Sequence, residues 1–344
     1  MMRENVMKLF LAWSVATATL ALFGEILVAD PSIAVVGGKY YLIGTENPSI
    51  GCPQFKPTGE AVFPMYVSED LYAWRLAETA AGDGRCLRKS NAFGQQRFWA
   101  PQLFQRNGLW YFAYTSDFRW GIAVADRPEG PFSPWMSYRS RKGQAIDPFV
   151  FQDDDGRAYV YFSSAELGGM AGALLSPDLK ALDGEPVKCI TNDQPWEHLK
   201  LEPQYEDLNR KYGYGEWDRF CWGVGATEGP TVIKRHGKYV LFYSANDFRS
   251  PDYCVGVAVA DRPLGPWRKL QSGAVLSRAD TGLNGTGHGD VYVGQDGMLW
   301  YVFHAHNSAI RISPRRTGVI RLRETVGSDG YPRYGADMMT MRLL

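Results

Sequence analysis

One short pattern recurs five times along this chain, and it constrains the fold more than any other feature. The copies are 29-ADPSIAVVGGKYYLIGT-45, 99-WAPQLFQRNGLWYFAYT-115, 146-IDPFVFQDDDGRAYVYFS-163, 228-EGPTVIKRHGKYVLFYS-244 and 288-HGDVYVGQDGMLWYVFHA-305. Each opens on a polar or aromatic residue, usually followed by proline. An alternating apolar strand, a glycine turn and a return strand of Tyr, Val, Phe and Leu follow. Period-2 alternation around a Gly-Gly, Asn-Gly or Asp-Gly turn is the strongest short-range hairpin signal, so the pattern predicts five hairpins.

The units start at Pro31, Pro101, Pro148, Pro230 and Asp290 and are unevenly spaced. The spacing leaves room for about four strands per unit, the content of a propeller blade. A longer internal match joins the second and fourth units: 108-GLWYFAYTSDFRWGIAVADRPEGPF-132 resembles 237-GKYVLFYSANDFRSPDYCVGVAVADRPLGPW-267, and both end in Pro-x-Gly-Pro turns. The predicted fold is therefore all-β, a five-bladed β-propeller over residues 22–344 as one domain.

Composition agrees and excludes other classes. The 344 residues carry 37 Lys+Arg against 37 Asp+Glu, are 14% aromatic, and include 37 Gly and 20 Pro. Balanced charge offers no basic face for nucleic acid, while the glycine and proline suit many short strands and turns. Before the first unit, Arg3 and Lys8 precede an uncharged run from Leu9 to Gly24 with small residues at Ala16, Ala18 and Ala21. That layout fits a signal peptide over residues 1–21 and a secreted or periplasmic protein; a packed apolar first element is the alternative, with a cytoplasmic protein. The run is short for a membrane span, which takes about 20 residues.

Five cysteines, Cys52, Cys86, Cys189, Cys221 and Cys254, show no C-x-x-C spacing, which argues against zinc or thioredoxin-type sites. Cys52 with Cys86 is the first candidate disulfide, and idle buried thiols are the alternative. The stretches from Glu46 to Arg97 and from Cys189 to Cys221 read as insertions that shape a pocket rim.

In a propeller the first strand of each blade lines the axis, so the residues that open the five units meet at one mouth. Those positions hold Asp30, Trp99-Ala100, Asp147, Glu228-Gly229 and His288-Gly289. Asp-Pro taken singly is a turn dipeptide. Three carboxylates and a Trp converging on one axis instead suit glycoside hydrolysis, with one acid to protonate the leaving oxygen, one carboxylate to activate water or attack the sugar, and aromatic faces to hold the ring. A third acid nearby raises the acid's pKa by repulsion.

Taken in order, Asp30-Pro31-Ser32, Trp99-Ala100-Pro101, Asp147-Pro148 with Asp154-Asp155-Gly156, Glu228-Gly229-Pro230 and Gly287-His288-Gly289 resemble the motifs of glycoside hydrolase family 43, from about residue 24 to the end. The resemblance implies an inverting glycosidase of the arabinofuranosidase, xylosidase or arabinanase kind, acting on arabinose- or xylose-containing oligosaccharide or polysaccharide. It implies Asp30 as general base, Glu228 as general acid and Asp147 as the residue that orients the acid and raises its pKa. His288 matches a histidine that in many members contacts a calcium ion at the propeller centre, usually through water; a structural hydrogen-bonding role is the alternative. Trp99 would wall the sugar subsite. Arg316 resembles an arginine that bonds sugar hydroxyls, with Arg315 beside it as the alternative. A non-catalytic carbohydrate-binding propeller and a galactan-acting enzyme are the rival readings. Asp153-Asp154-Asp155-Gly156 reads as a hairpin turn, and His304 with His306, on one side of a strand, as structural.

Overall fold

A computed structural model describes residues 25–46, 59–198 and 226–344. Five antiparallel sheets follow one another along the chain. Blade 1 holds β1 (Val28–Val36), β2 (Lys39–Glu46), β3 (Ala61–Ser68) and β4 (Arg75–Leu76), with β5 (Arg85–Arg88) also paired to β3. Blade 2 comprises β6 (Trp99–Arg106), β7 (Leu109–Ser116), β8 (Arg119–Ala125) and β9 (Ser133–Tyr138). Blade 3 comprises β10 (Ala145–Gln152), β11 (Ala158–Ser164), β12 (Gly169–Leu174) and β13 (Val187–Ile190). Blade 4 holds β14 (Ala226–Arg235), β15 (Lys238–Asn246) and β16 (Cys254–Ala260). Its outer edge is completed by single bridges from Arg268 and Leu276 to β16. Blade 5 comprises β17 (Gly287–Val293), β18 (Leu299–Ala305), β19 (Arg316–Val326) and β20 (Pro332–Leu343).

The inner strands form a closed ring: β1 touches β6 and β17, β10 touches β6 and β14, and β14 touches β17. Strand alternation then decides where each side chain goes. Phe112 of β7 enters the apolar wedge between blades 1 and 2, and its neighbour Tyr111 enters the wedge between blades 2 and 3. Val240 and Leu241 divide in the same way on either side of blade 4. A fifth wedge, with Leu42, Val302 and Val319, joins blade 5 to blade 1. Each fully buried large side chain contributes about 1.5–3 kcal/mol, so the wedges bind the sheets to one another. Backbone bonds from Ile26 N–H to Leu344 O and from Thr317 N–H to Ile26 O tie the segment before β1 to blade 5.

The predicted hairpins are the inner pairs of all five blades. Gly37-Gly38, Asn107-Gly108 and His236-Gly237 have both turn residues left-handed, the type I′ geometry that matches strand twist. The Asp153–Gly156 run is a hairpin turn, closed by bonds from Asp153 N–H to Arg157 O and from Gly156 N–H to Asp153 O.

Two expectations change. The stretch from Glu46 to Arg97 is largely the outer part of blade 1, since β3, β4 and β5 lie in it. The fifth unit is aligned by Gly289, not Asp290: every inner strand carries a bulge, and Gly289 occupies the position of Pro31, Pro101, Pro148 and Pro230. Cys86 is buried in the wedge between blades 1 and 2, and its suggested partner Cys52 lies outside the described residues, as do residues 1–21 and most of the second supposed insertion.

The bulge residue before the proline position is left-handed in all five blades, at Asp30, Ala100, Asp147, Gly229 and His288. In four blades its N–H donates to the second strand of the preceding blade. Ala100 donates to Thr45 Oγ1 (2.9 Å), Asp147 to Thr115 Oγ1 (2.8 Å), His288 to Ser244 Oγ (2.8 Å) and Asp30 to His304 Nδ1 (3.1 Å). These bonds set how neighbouring blades meet at the mouth. Thr115→Val keeps the shape but leaves the buried Asp147 N–H without its acceptor. It should lower unfolding stability by about 1–3 kcal/mol in a denaturant titration.

Candidate active site

The bulges put the unit-opening residues on the axis at one end of the ring, where Asp30, Ala100, Asp147, Gly229 and His288 line a narrow axial cavity that runs on to Asp290. Pairing with the second strand places Glu228 opposite Ser244 and Trp99 opposite Thr115, so Glu228 and Trp99 share one register position. Asp30 and Asp147 lie one residue later, on the bulges themselves. The carboxylates therefore come from two adjacent tiers, and not from one equivalent position as alignment on proline suggests. Gly229 permits this step. At a φ of 57° it is left-handed, and a Cβ there would lie 2.5 Å from the His288 ring.

Asp30 is buried and fully engaged. Thr45 Oγ1 donates to its Oδ2 at 2.6 Å, and Arg315 Nη1 donates to its Oδ1 at 3.1 Å. His288 Nδ1 and His304 Nδ1 lie 3.3 and 3.4 Å from the same Oδ1. Burial opposes ionisation of this carboxyl, but the Arg315 guanidinium and the two histidines outweigh it and hold Asp30 well below the usual carboxylate range. Burial pushes His304 down to about 3, so that ring is neutral, and it lowers His288 as well.

Glu228 and Asp147 move the other way. Burial raises Glu228 to about 7, helped by the charges of Asp247 and Asp30 and opposed by a hydrogen bond from Tyr253 OH to Oε1 at 2.7 Å. Burial, then repulsion from Glu228 and Asp30, raises Asp147. Three buried carboxyls thus divide into one held ionised beside a cation and a pair that retains a proton near neutral pH. Environments that push neighbouring carboxyls apart in this way distinguish acid from base in a catalytic site.

Among the other residues singled out, Trp99 is half-buried at the mouth, its ring edge-on to Phe118 at 5.7 Å, with Arg97 over the Phe118 face at 4.4 Å. Arg316 points away from the carboxylates and pairs with Glu25; the arginine at the site is Arg315. Strand alternation groups residue 315 with Thr317, whose hydroxyl bonds Val28 O on β1, and so turns Arg315 toward the inner strand of blade 1. The two histidines separate in role: His304 meets Asp30, and His306 Nε2 contacts Phe248 O at 2.8 Å. Sequence reasoning missed Tyr253, His304 and the buried pair Arg249–Asp247 (2.6 Å).

The described residues offer few free oxygen ligands beside His288, so a calcium ion there would be held mainly through water. The carboxylate beside it, Asp30, already takes Thr45 and Arg315, and the guanidinium puts a full positive charge at that oxygen. Calcium takes six to eight oxygen ligands, waters among them. Among the described residues, no three His, Cys, Asp or Glu side chains cluster as a metal site.

The family described as Glycosyl hydrolases family 43 matches residues 23–326. A Beta-D-galactofuranosidase of Aspergillus niger is 26% identical over 80% of this chain and 73% of its own length. A Beta-xylosidase of Xylanibacter ruminicola is 31% identical over 61% of this chain and 65% of its own length. The crystal structure of an Endo-1,4-beta-xylanase from Bacteroides thetaiotaomicron superposes with a TM-score of 0.71 at 30% identity, covering 90% of this chain and 95% of that one. The chain belongs to glycosyl hydrolases family 43, and with it to the inverting glycosidases that hydrolyse O-glycosyl bonds. Among the described residues, no helix is long and apolar enough to cross a membrane.

One buried carboxyl on the axis lies outside this set. Asp290 accepts from Ser32 Oγ and Thr231 Oγ1, both at 2.7 Å, and burial raises it to about 6 despite those bonds. An acid raised in the fold favours the folded state below its unfolded pKa, and that contribution is lost as pH rises toward the folded value. The difference in unfolding free energy between wild type and Asp290→Asn should therefore fall by roughly 1–3 kcal/mol between about pH 4 and pH 6, then level off.

Proposed function

We propose that Asp30 is the general base, Glu228 the general acid and Asp147 the residue that orients the acid and keeps it protonated, in hydrolysis of arabinofuranosides or xylosides of plant polysaccharide. The observation that carries this reading is the division of three buried carboxyls at one mouth: Asp30 lies 3.1 Å from Arg315, while Glu228 and Asp147 are both raised. In the proposed step, Asp30 takes a proton from water as the water oxygen bonds the anomeric carbon from one face. The bond to the leaving oxygen breaks on the other face, and Glu228 delivers its proton there. Asp30 then returns its proton to solvent and Glu228 regains one. No part of this step uses a metal.

Trp99 would support the sugar ring at the Glu228 tier, and Arg315 would hold Asp30 ionised. The sugar preference rests on the names of the relatives. β-D-galactofuranosides share their ring configuration with α-L-arabinofuranosides, so the Aspergillus relative supports a furanoside as well as the Xylanibacter relative supports a xyloside.

The test is hydrolysis of nitrophenyl α-L-arabinofuranoside, β-D-xyloside and β-D-galactofuranoside, and of arabinan and xylan, by wild type, Asp30→Asn and Glu228→Gln. Asp30→Asn should lose at least roughly 10²-fold on every substrate, and Glu228→Gln should lose that much on polysaccharide but far less on nitrophenyl glycosides, whose leaving group needs little protonation. Wild-type kcat/KM should be bell-shaped. Activity falls on the alkaline side as Glu228 loses its proton near about 7, and on the acid side only below the usual carboxylate range, where Asp30 gains one. Undiminished turnover by either variant would remove its assignment, and preference for the galactofuranoside would move the substrate to galactan.

We further propose that the protein is exported and that residues 1–21 are removed. Mass spectrometry of the protein recovered outside the cytoplasm should then show a chain starting just after Ala18 or Ala21, and an intact Met1 would refute cleavage.

A further inference from the structure

Tyr253 stands between the two sides of the proposed mechanism. It is fully buried and lies in the segment leading into β16. Its ring fills a place that the fifth blade leaves open: Gly287 is the register counterpart of Glu228 and Trp99, and a Cβ on Gly287 would lie 2.6 Å from the Tyr253 ring. One face of the ring stacks on His304 at 5.7 Å and 9°, the same His304 that accepts the Asp30 N–H. Its hydroxyl donates to Glu228 Oε1 at 2.7 Å.

We infer that Tyr253 is a positioning residue for proton delivery: its hydroxyl occupies Oε1 of Glu228 and leaves Oε2 as the oxygen that carries the proton to the leaving group. This rests on Glu228 being the acid. A protonated carboxyl has one O–H and one carbonyl-type oxygen, and the oxygen that accepts a phenol bond takes the carbonyl role. When the proton leaves Oε2, the same bond becomes charge-assisted and strengthens, so it favours the transferred state over the starting one. Burial keeps the Tyr253 phenol well above its usual pKa, so it remains a donor throughout. Among the described residues, the charged groups around Glu228 include Asp147, Asp30, Asp247 with its partner Arg249, and Arg315. Tyr253 is the neutral donor among them.

The test compares wild type, Tyr253→Phe, Glu228→Gln and the double variant on a nitrophenyl glycoside and on an unactivated oligosaccharide of the preferred sugar, each as a function of pH. Tyr253→Phe keeps the ring over Gly287 and against His304 and removes the hydroxyl, with its bond to Glu228 and its contact with Ser244. Its alkaline limb should move up by about one pH unit, because the ionised acid loses a hydrogen bond. It should lose roughly tenfold in kcat on the oligosaccharide and much less on the nitrophenyl glycoside, with KM little changed. On the Glu228→Gln background the Phe substitution should add almost nothing, because Tyr253 acts through Glu228. An unmoved limb with equal losses on both substrates, or an undiminished loss on the Gln background, would reduce Tyr253 to a packing residue and overturn the inference. If Glu228→Gln itself fails to distinguish the two substrates, the acid assignment falls. If it distinguishes them while Tyr253→Phe behaves as wild type, only the role of Tyr253 falls.

Discussion

The structure depends on one kind of hydrogen bond repeated around the axis, from the backbone N–H of the left-handed bulge residue of one blade to a side chain on the second strand of the blade before it. Thr45, Thr115, Ser244 and His304 each accept one such N–H. A bulge re-aims a strand, and here it turns the start of each inner strand across the mouth. The same acceptors reach the site: Thr45 takes the Ala100 N–H and donates its own proton to Asp30, and His304 takes the Asp30 N–H and faces Arg315. Blade closure and carboxylate placement therefore share the same side chains.

The junction between blades 3 and 4 breaks this rule. There Ser163 donates to Thr227 O, and the Gly229 N–H faces the Asp147 carboxyl and favours its ionised form. The N–H that elsewhere meets a side chain of the second strand here faces a carboxyl on the first strand of blade 3, and this is the junction where Asp147 and Glu228 meet. The apolar wedge of Phe151, Tyr161, Leu241 and Tyr243 packs these two blades together, as its counterparts do at the other junctions. Beside it, Glu197 is fully buried, takes Lys269 Nζ at 2.7 Å and accepts from Tyr243 OH.

The sequence displays the inner hairpins clearly, because alternation and turn glycines are local and strong. It displays blade edges poorly. β4, β5 and β13 are two to four residues long and lack a pattern of their own, so the outer part of blade 1 looks like an insertion. Proline marks the bulge in four blades, but His288-Gly289 holds the same conformation without it, and Glu228 precedes its bulge instead of sitting on it. A one-residue slip moves a side chain to the other face of a strand, and Arg315 and Arg316 differ by that slip. Tyr253 had a visible signal. In the duplicated stretch, 117-DFRWG-121 corresponds to 247-DFRSPDYCVG-256, and residues 250–254, absent from the second unit, contain the tyrosine that reaches Glu228.

The electrostatic pattern of the site follows from one cation and its distances. Burial raises Asp30, Asp147 and Glu228 alike, so burial alone would make three weak acids. Arg315 lowers all three, but it makes direct contact only with Asp30, where it and the neighbouring His288 and His304 together outweigh the cost of burial. At the other two, burial and like charge prevail. The guanidinium cannot lose its proton, and Asp30 holds it 3.1 Å away against the face of Phe248. Once Asp30 is ionised, its charge adds to the rise of Glu228 and Asp147, so a base on one side of the mouth helps to make an acid on the other. The polarity of the proposed reaction, from Asp30 through water and sugar to Glu228, is thereby set by which strand end Arg315 reaches.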